Sequence, residues 1–237
     1  MVTTLKLDQR VVAIVQARAA SGRLPGKVLR EVAGRPMVAY LIDRLRHAEG
    51  LDDVMLATSV EASDDSVAAV AGNEGCRCYR GPLDNVAARL LGAARAAGAD
   101  AFVRVSGDSP LLDPKLVSRA VALYREGEAE IVSNVVVRTY PKGQSVEVVA
   151  TETLARALPQ FSASDREHVT KHFYRQADRF RIVGFERDVS LAHVQMSVDV
   201  AEDFQRFERI VTSMQRPHWT YGLDEVLALV EPVTGAA

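Results

Sequence analysis

The stretch Arg18-Ala19-Ala20-Ser21-Gly22-Arg23-Leu24-Pro25-Gly26-Lys27 decides how the rest of the chain is read. It follows an apolar run at residues 11–15, Val-Val-Ala-Ile-Val, which has the character of a buried first strand. It precedes Pro36-Met37-Val38-Ala39-Tyr40-Leu41-Ile42, whose apolar spacing opens a helix over residues 36–48. Two glycines, a proline and a serine make a loop that can turn backbone N–H groups toward a ligand. Arg18, Arg23 and Lys27 put three cations into ten residues, with no acid among them. At the carboxyl end of a first strand, that chemistry suits a polyphosphate. The plainer alternative is a solvated basic loop whose glycines serve only the turn.

Two better-known phosphate loops are excluded. In a Walker A loop four residues separate the glycines and a hydroxyl residue follows the lysine. Here Gly22 and Gly26 are one residue too close, and Val28 stands in the hydroxyl's place. The dinucleotide pattern G-x-G-x-x-G is also absent.

The alternation of elements extends outward from this loop. Residues 53–58, 76–79 and 101–105 read as strands. Residues 64–73, 84–97 and 114–126 read as helices, with Ser63 and Asp113 as caps for the first and last. Strand and helix alternating in this way predict an α/β fold, a mostly parallel sheet with helices on both faces. Ligands then lie beyond the carboxyl ends of the strands. After residue 127 the alternation breaks. Strands are expected at 130–137, 146–150, 180–186 and 193–198, and helices at 151–158, 165–176, 203–214 and 223–230. Residues 234–237 read as a loose tail.

Composition narrows the function classes. The 237 residues suit one domain spanning 1–237, and the net charge of −2 favours neither nucleic acid nor a membrane surface. No apolar run approaches the roughly 20 residues of a membrane span. Residues 1–10 lack the apolar core of a signal peptide, so a cytoplasmic location is expected. Cys76 and Cys78 sit two apart in an expected strand, which points both to one sheet face and favours core packing over a disulfide or zinc.

Asp108, in Val105-Ser106-Gly107-Asp108-Ser109-Pro110, is a carboxylate just past a strand end and opposite the basic loop. That placement suits Mg²⁺ carried by phosphates, since Mg²⁺ takes one or two protein carboxylates. A turn-capping role is the alternative. His168 and His172 have the spacing of a zinc pair but lack the glutamate of H-E-x-x-H and a third ligand. Trp219 and Tyr221 read as packing or interface aromatics.

The run from Gln16 to Leu29 resembles the signature loop R-x-x-S-x-R-x-P-G-K of the cytidylyltransferases that make CMP-activated acidic sugars. These are the CMP-sialic-acid and CMP-KDO synthetases and their SpsF-like spore-coat polysaccharide branch. Every fixed position is present. The resemblance implies a Rossmann-like, nucleotide-diphospho-sugar transferase type fold. It implies an α+β extension within residues 133–190 that pairs two subunits and helps bind the acceptor. It implies a reaction in which CTP and an acidic sugar give a CMP-sugar and pyrophosphate, for surface polysaccharide biosynthesis.

The resemblance also assigns residues. Arg18, Lys27 and Asp108 would be catalytic. Ala17, Arg18, Ser21, Arg23, Lys27, Arg89 and Ser106 would bind the nucleotide. Arg89 either reaches the cytosine or lies exposed on an Ala-rich helix. Asp108 and Asp199 would hold Mg²⁺, Asp199 by likeness to a D-x-x-E-D segment after a late strand. Asp203 is a weaker candidate, with a charge in the helix's first turn as its other role. Tyr140, Lys142, Gln144 and Glu147 match a Y-P-x-G-x-x-x-E stretch, and Arg166, Glu167 and His168 an R-E-H-V-T helix start. These seven would contact the acceptor. Ser145 departs from the Asp that many of the branch carry, which leaves the usual substrate open. A different acceptor, a catalytically silent binding protein and a glycosyltransferase remain alternatives; the last lacks its D-x-D pair here.

Overall fold

The computed structural model describes residues 6–230, so the expected loose tail at 234–237 lies outside the described residues. In chain order, β1 is Val11–Gln16, followed by the basic loop and a small hairpin of β2, Glu31–Val32, and β3, Arg35–Pro36. Then come α1 Met37–Arg46, β4 Asp53–Ser59, α2 Asp65–Asn73, β5 Arg77–Gly81, α3 Val86–Ala96, β6 Ala101–Ser106 and α4 Pro114–Glu126. The second half holds β7 Ile131–Ser133, β8 Glu147–Ala150, α5 Thr151–Ala157, α6 Ala163–Glu167, α7 Lys171–Arg175, β9 Ile182–Gly184, α8 Ala201–Ser213 and α9 Leu223–Val230.

Seven strands form one sheet in the order β5-β4-β1-β6-β8-β7-β9. Only β8 runs against the others, pairing antiparallel with β6 and β7. β1 lies inside, parallel to both β4 and β6. Its five apolar residues are fully buried because both faces of the sheet are covered. The pleat divides them: Val11, Ala13 and Val15 face the cluster built with α1, α4 and α8, and Val12 and Ile14 face the cluster built with α3, α5 and α7.

Several expected elements change at their ends. Ser63 does not cap a helix, because residues 62–64 form a 3₁₀ turn and Asp64 is buried instead. Asp113 does cap α4, accepting from the Lys115 N–H at 2.9 Å. Cys76 precedes β5 and is buried, whereas Cys78 within β5 is exposed, so the two do not pack together on one face. Burial pushes the Cys76 thiol up to about 11.

The expected strand at 130–137 stops at Ser133, and residues 135–138 turn. The expected helix at 165–176 is broken into α6 and α7. Its start is a capping box in which Ser162 and Asp165 exchange hydrogen bonds. Residues 193–198 are not a strand: a single bridge joins Gln195 to Lys142. No helix among the described residues is long and apolar enough to cross a membrane.

Candidate active site

The carboxyl ends of β1 and β6 open on a cavity of about 530 Å³ walled by the basic loop. The loop is tied down at its base. Asp64, buried at the start of α2, accepts the Ala19 N–H at 2.7 Å, the Ser59 N–H at 3.2 Å and the Ser59 hydroxyl. Burial alone would raise the Asp64 pKa, but the hydrogen bonds from Ser59 and Ala19 outweigh it and hold the group ionised. The Gly26 N–H closes the loop on Ala19 O at 2.9 Å, with Gly26 left-handed at φ 70°. Gly107 lets β6 end against β1: a Cβ there would stand 2.9 Å from Ala17 Cβ.

Lys27 is the centre of the site. Its ammonium lies 3.2 Å from Asp108 Oδ2, 3.2 Å from Asp199 Oδ1 and 2.6 Å from Val198 O. Asp108 arrives on the loop after β6. Asp199 arrives from the other end of the chain on a strap at residues 193–198. The Lys142 carbonyl accepts from Met196 and Ser197 at 2.8 and 3.0 Å, and the Val198 N–H donates to Asp108 O at 2.8 Å. Gly143, at φ 93°, allows this approach, since any Cβ there would overlap the Met196–Ser197 backbone. Asp203 does not join the cluster. It accepts the Asp199 and Val200 N–H groups at 2.9 and 3.2 Å, capping α8 and fixing the turn that presents Asp199.

The other loop cations are also paired. Arg23 reaches Asp199 at 2.8 Å, and Arg18 reaches Glu167 at 2.8 Å. Ala17, Ser21, Arg89, Ser106, Glu167 and His168 share the wall of the same cavity. Arg89 is not the exposed charge that an Ala-rich helix made the commoner outcome. It is buried, donates to Pro82 O at 2.6 Å and Leu83 O at 3.2 Å, and leaves its Nε without a partner. Burial, then the neighbouring Arg18, lowers its pKa.

A second cavity of about 220 Å³ adjoins the first, with Arg104, Ser106 and Asp108 common to both. Lys142, Glu147, Arg138 and Ser145 line it. Three residues expected at the acceptor do not face either cavity. Tyr140 is buried with its hydroxyl on Glu186 O. Gln144 is fully buried, accepting the Asp113 N–H and donating to Leu111 O at 2.9 and 2.8 Å. Arg166 is exposed on α6, apart from both cavity walls. His172 is buried against Phe161, so it forms no pair with His168. Trp219 stacks on His47 with centroids 4.6 Å apart, while Tyr221 is buried.

A family model for cytidylyltransferases matches residues 12–229. The chain belongs to the cytidylyltransferase family. This makes it a CTP-dependent nucleotidyltransferase rather than a glycosyltransferase. The cytidylyltransferase is 30% identical over 210 residues to 3-deoxy-manno-octulosonate cytidylyltransferase of Myxococcus xanthus, covering 85% of this chain and 82% of that one. It is 26% identical over 208 residues to the spore coat polysaccharide biosynthesis protein SpsF of Bacillus subtilis, covering 84% and 85%. A solved cytidylyltransferase from Leptospira borgpetersenii shares its fold with a TM-score of 0.88, at 23% identity over 94% of each chain.

The motifs missed Asp64, Gln195, Arg104 and Tyr174. Gln195 donates to Asp199 Oδ2 at 3.3 Å and so steadies the second carboxylate. Arg104 carried a signal: a charge amid the apolar Phe102-Val103 and Val105 of an inner strand.

Proposed function

We propose that this cytidylyltransferase joins CMP from CTP to a hydroxyl of an acidic sugar and releases pyrophosphate. The observation that carries the reading is the meeting of Lys27, Asp108 and Asp199 where the phosphate-loop cavity opens into a second, cation-lined cavity. Arg18, Arg23 and Lys27 take the triphosphate, exchanging their present acidic partners for phosphate oxygens. The buried guanidinium of Arg89 and the Ala17 backbone form the end of the cavity suited to the base.

Asp108 and Asp199 fit a Mg²⁺ ion by their chemistry. They are two hard carboxylates already gathered on one cation, and such an ion keeps its other positions for phosphate and water. Among the described residues no group of three or more His, Cys, Asp or Glu converges, so the nucleotide supplies the rest. When bound, the ion neutralises charge on the phosphates. The chain's own residues position the reactants. The acceptor oxygen bonds to the α-phosphorus as the bond to pyrophosphate breaks, and the hydroxyl proton passes to solvent.

The second cavity holds the acceptor, its anionic group among the cations that include Lys142, with Glu147 and Ser145 nearby. An activated acidic sugar of this kind is a donor for surface polysaccharide assembly, made in the cytoplasm. The dimer contact proposed within residues 133–190 is supported by the edge position of β9 in the sheet and by the exposed Val183 on it and Val136 and Val137 in the turn at residues 135–138. Light scattering tests it: a Val183→Lys variant dissociates a dimer there.

The deciding experiment is pyrophosphate release from CTP and Mg²⁺ against nonulosonic acids, KDO and phosphorylated small acids. Release with an acidic sugar is expected. Thermal stabilisation by UTP or GTP but not CTP would contradict the cytidylyl assignment. Release with phosphorylated acids alone would move the acceptor to another class.

A further inference from the structure

Arg104 belongs to none of the motifs, yet its side chain lines both cavities. It stands on β6 with Ile14 beside it on β1 and Glu147 directly opposite on β8. Its Nη1 donates to Glu147 Oε2 at 2.6 Å and its Nε to Gln16 Oε1 at 3.2 Å. Nη2 makes no hydrogen bond within the described residues.

Glu147 is held from behind. Its Oε1 accepts the Tyr174 hydroxyl at 2.5 Å, and that hydroxyl is 2.7 Å from Ser133 Oγ. Burial, then the facing Glu147 charge, raises the Tyr174 pKa, which keeps the phenol a donor. Gln16, Arg104, Glu147, Tyr174 and Ser133 thus form one polar chain across the sheet. A buried ion pair adds little net stability, but it fixes the direction of a planar guanidinium.

We infer that Arg104 determines acceptor specificity: its free Nη2 grips the acceptor's carboxylate on the same carbon that bears the attacking hydroxyl. This rests on the acidic-sugar reading above. The triphosphate already meets three cations in the larger cavity. The smaller cavity has a basic wall, for Arg138 and Lys142 form no ion pair among the described residues. Ser106 and Asp108 line both cavities, so their junction is where hydroxyl and α-phosphorus meet. In a cyclic 2-keto-acid sugar the carboxylate and the anomeric hydroxyl share one carbon. A fixed charged donor that holds the first therefore sets the distance of the second. In a uronic acid the carboxylate sits at the far side of the ring and gains nothing from this grip.

The test combines pyrophosphate release with CTP-binding calorimetry, using KDO, N-acetylneuraminate and glucuronate as acceptors. The proteins are the wild type, Arg104→Lys, and the pair Arg104→Gln with Glu147→Gln, which leaves no bare buried carboxylate. The wild type is expected to use a 2-keto acid and not glucuronate. Arg104→Lys should raise the acceptor KM about 10-fold and the paired variant about 10²-fold, with the CTP Kd moved less than about twofold. Should the paired variant fail to fold, the charge-retaining Arg104→Lys decides.

An unchanged acceptor KM, a weakened CTP Kd in its place, or equal use of glucuronate overturns the inference alone. Absence of pyrophosphate from the wild type with every acidic sugar sinks the acidic-sugar reading and takes the inference with it.

Discussion

Lys27→Met removes the one cation among the described residues that touches both Asp108 and Asp199 and keeps a buried, unbranched stem. Each pair, at 3.2 Å, carries roughly 5 kcal/mol of attraction at an effective dielectric of about 20. Desolvation consumes most of it, because the carboxylates retain 26% and 23% of their exposure. What remains is on the scale of a charged hydrogen bond, about 1.5–3 kcal/mol. Three results follow. Resistance to urea falls by about 2 kcal/mol, since two half-shielded carboxylates lose their shared partner. Mn²⁺ binding to the nucleotide-free protein tightens about 10- to 10²-fold, because the ion no longer displaces an ammonium. Turnover with CTP drops about 10²- to 10³-fold, as for loss of one charge-stabilising donor. Titration of free Mn²⁺ by electron paramagnetic resonance gives the second number without any reaction. Binding no tighter than in the wild type would show that Lys27 does not hold the cation position, and the account of the site would be wrong.

Asp64→Ala should loosen the basic loop by freeing the Ala19 and Ser59 N–H groups, costing about 1–3 kcal/mol in denaturant and weakening CTP about 10-fold by calorimetry. Unchanged CTP affinity would make Asp64 a purely structural residue. Gly143→Ala, at φ 93° against the 196–197 backbone, should push the strap away. A loss of at least about 2 kcal/mol and of most activity is expected; a wild-type melting temperature contradicts it. Burial lowers the His218 pKa to about 4, below the ordinary imidazole value of 6.5, despite the nearby Asp43 at 3.0 Å. The folded protein therefore binds fewer protons there than the unfolded chain. Its contribution is complete above pH 6.5 and is lost as pH falls toward 4, about 3 kcal/mol in all. Urea melts across that window should show the decline, and His218→Asn should flatten it.

The loop and the first half of the sheet were legible because their signals are local. An apolar run, a glycine-rich basic loop and an amphipathic helix follow one another within thirty-odd residues, and each has its own periodicity or spacing. Asp113 was readable as a cap for the same reason. The segment after residue 127 was not readable in this way. Residues 193–198 carry alternating apolar residues, as a strand would, yet they hydrogen-bond to a turn at Lys142 and to Asp108 O rather than to a sheet. Gln144 has the composition of a ligand-binding residue, but distant backbone groups at Leu111 and Asp113 take up its amide. Arg89 sits on an Ala-rich helix that gives no sign of the cavity wall it joins.

The sequence by itself determined the class of fold, the basic glycine-containing loop after β1 and the family, since backbone geometry and charge at short range follow from neighbouring residues. Only the tertiary structure decided which acids meet Lys27 and which polar groups stay free. Asp199 reaches Lys27 across 172 positions of sequence, and Arg104 meets Glu147, 43 positions on, through the pairing of two strands. A charge is satisfied by whatever lies within a few ångströms, and that neighbourhood is a property of the packed sheet.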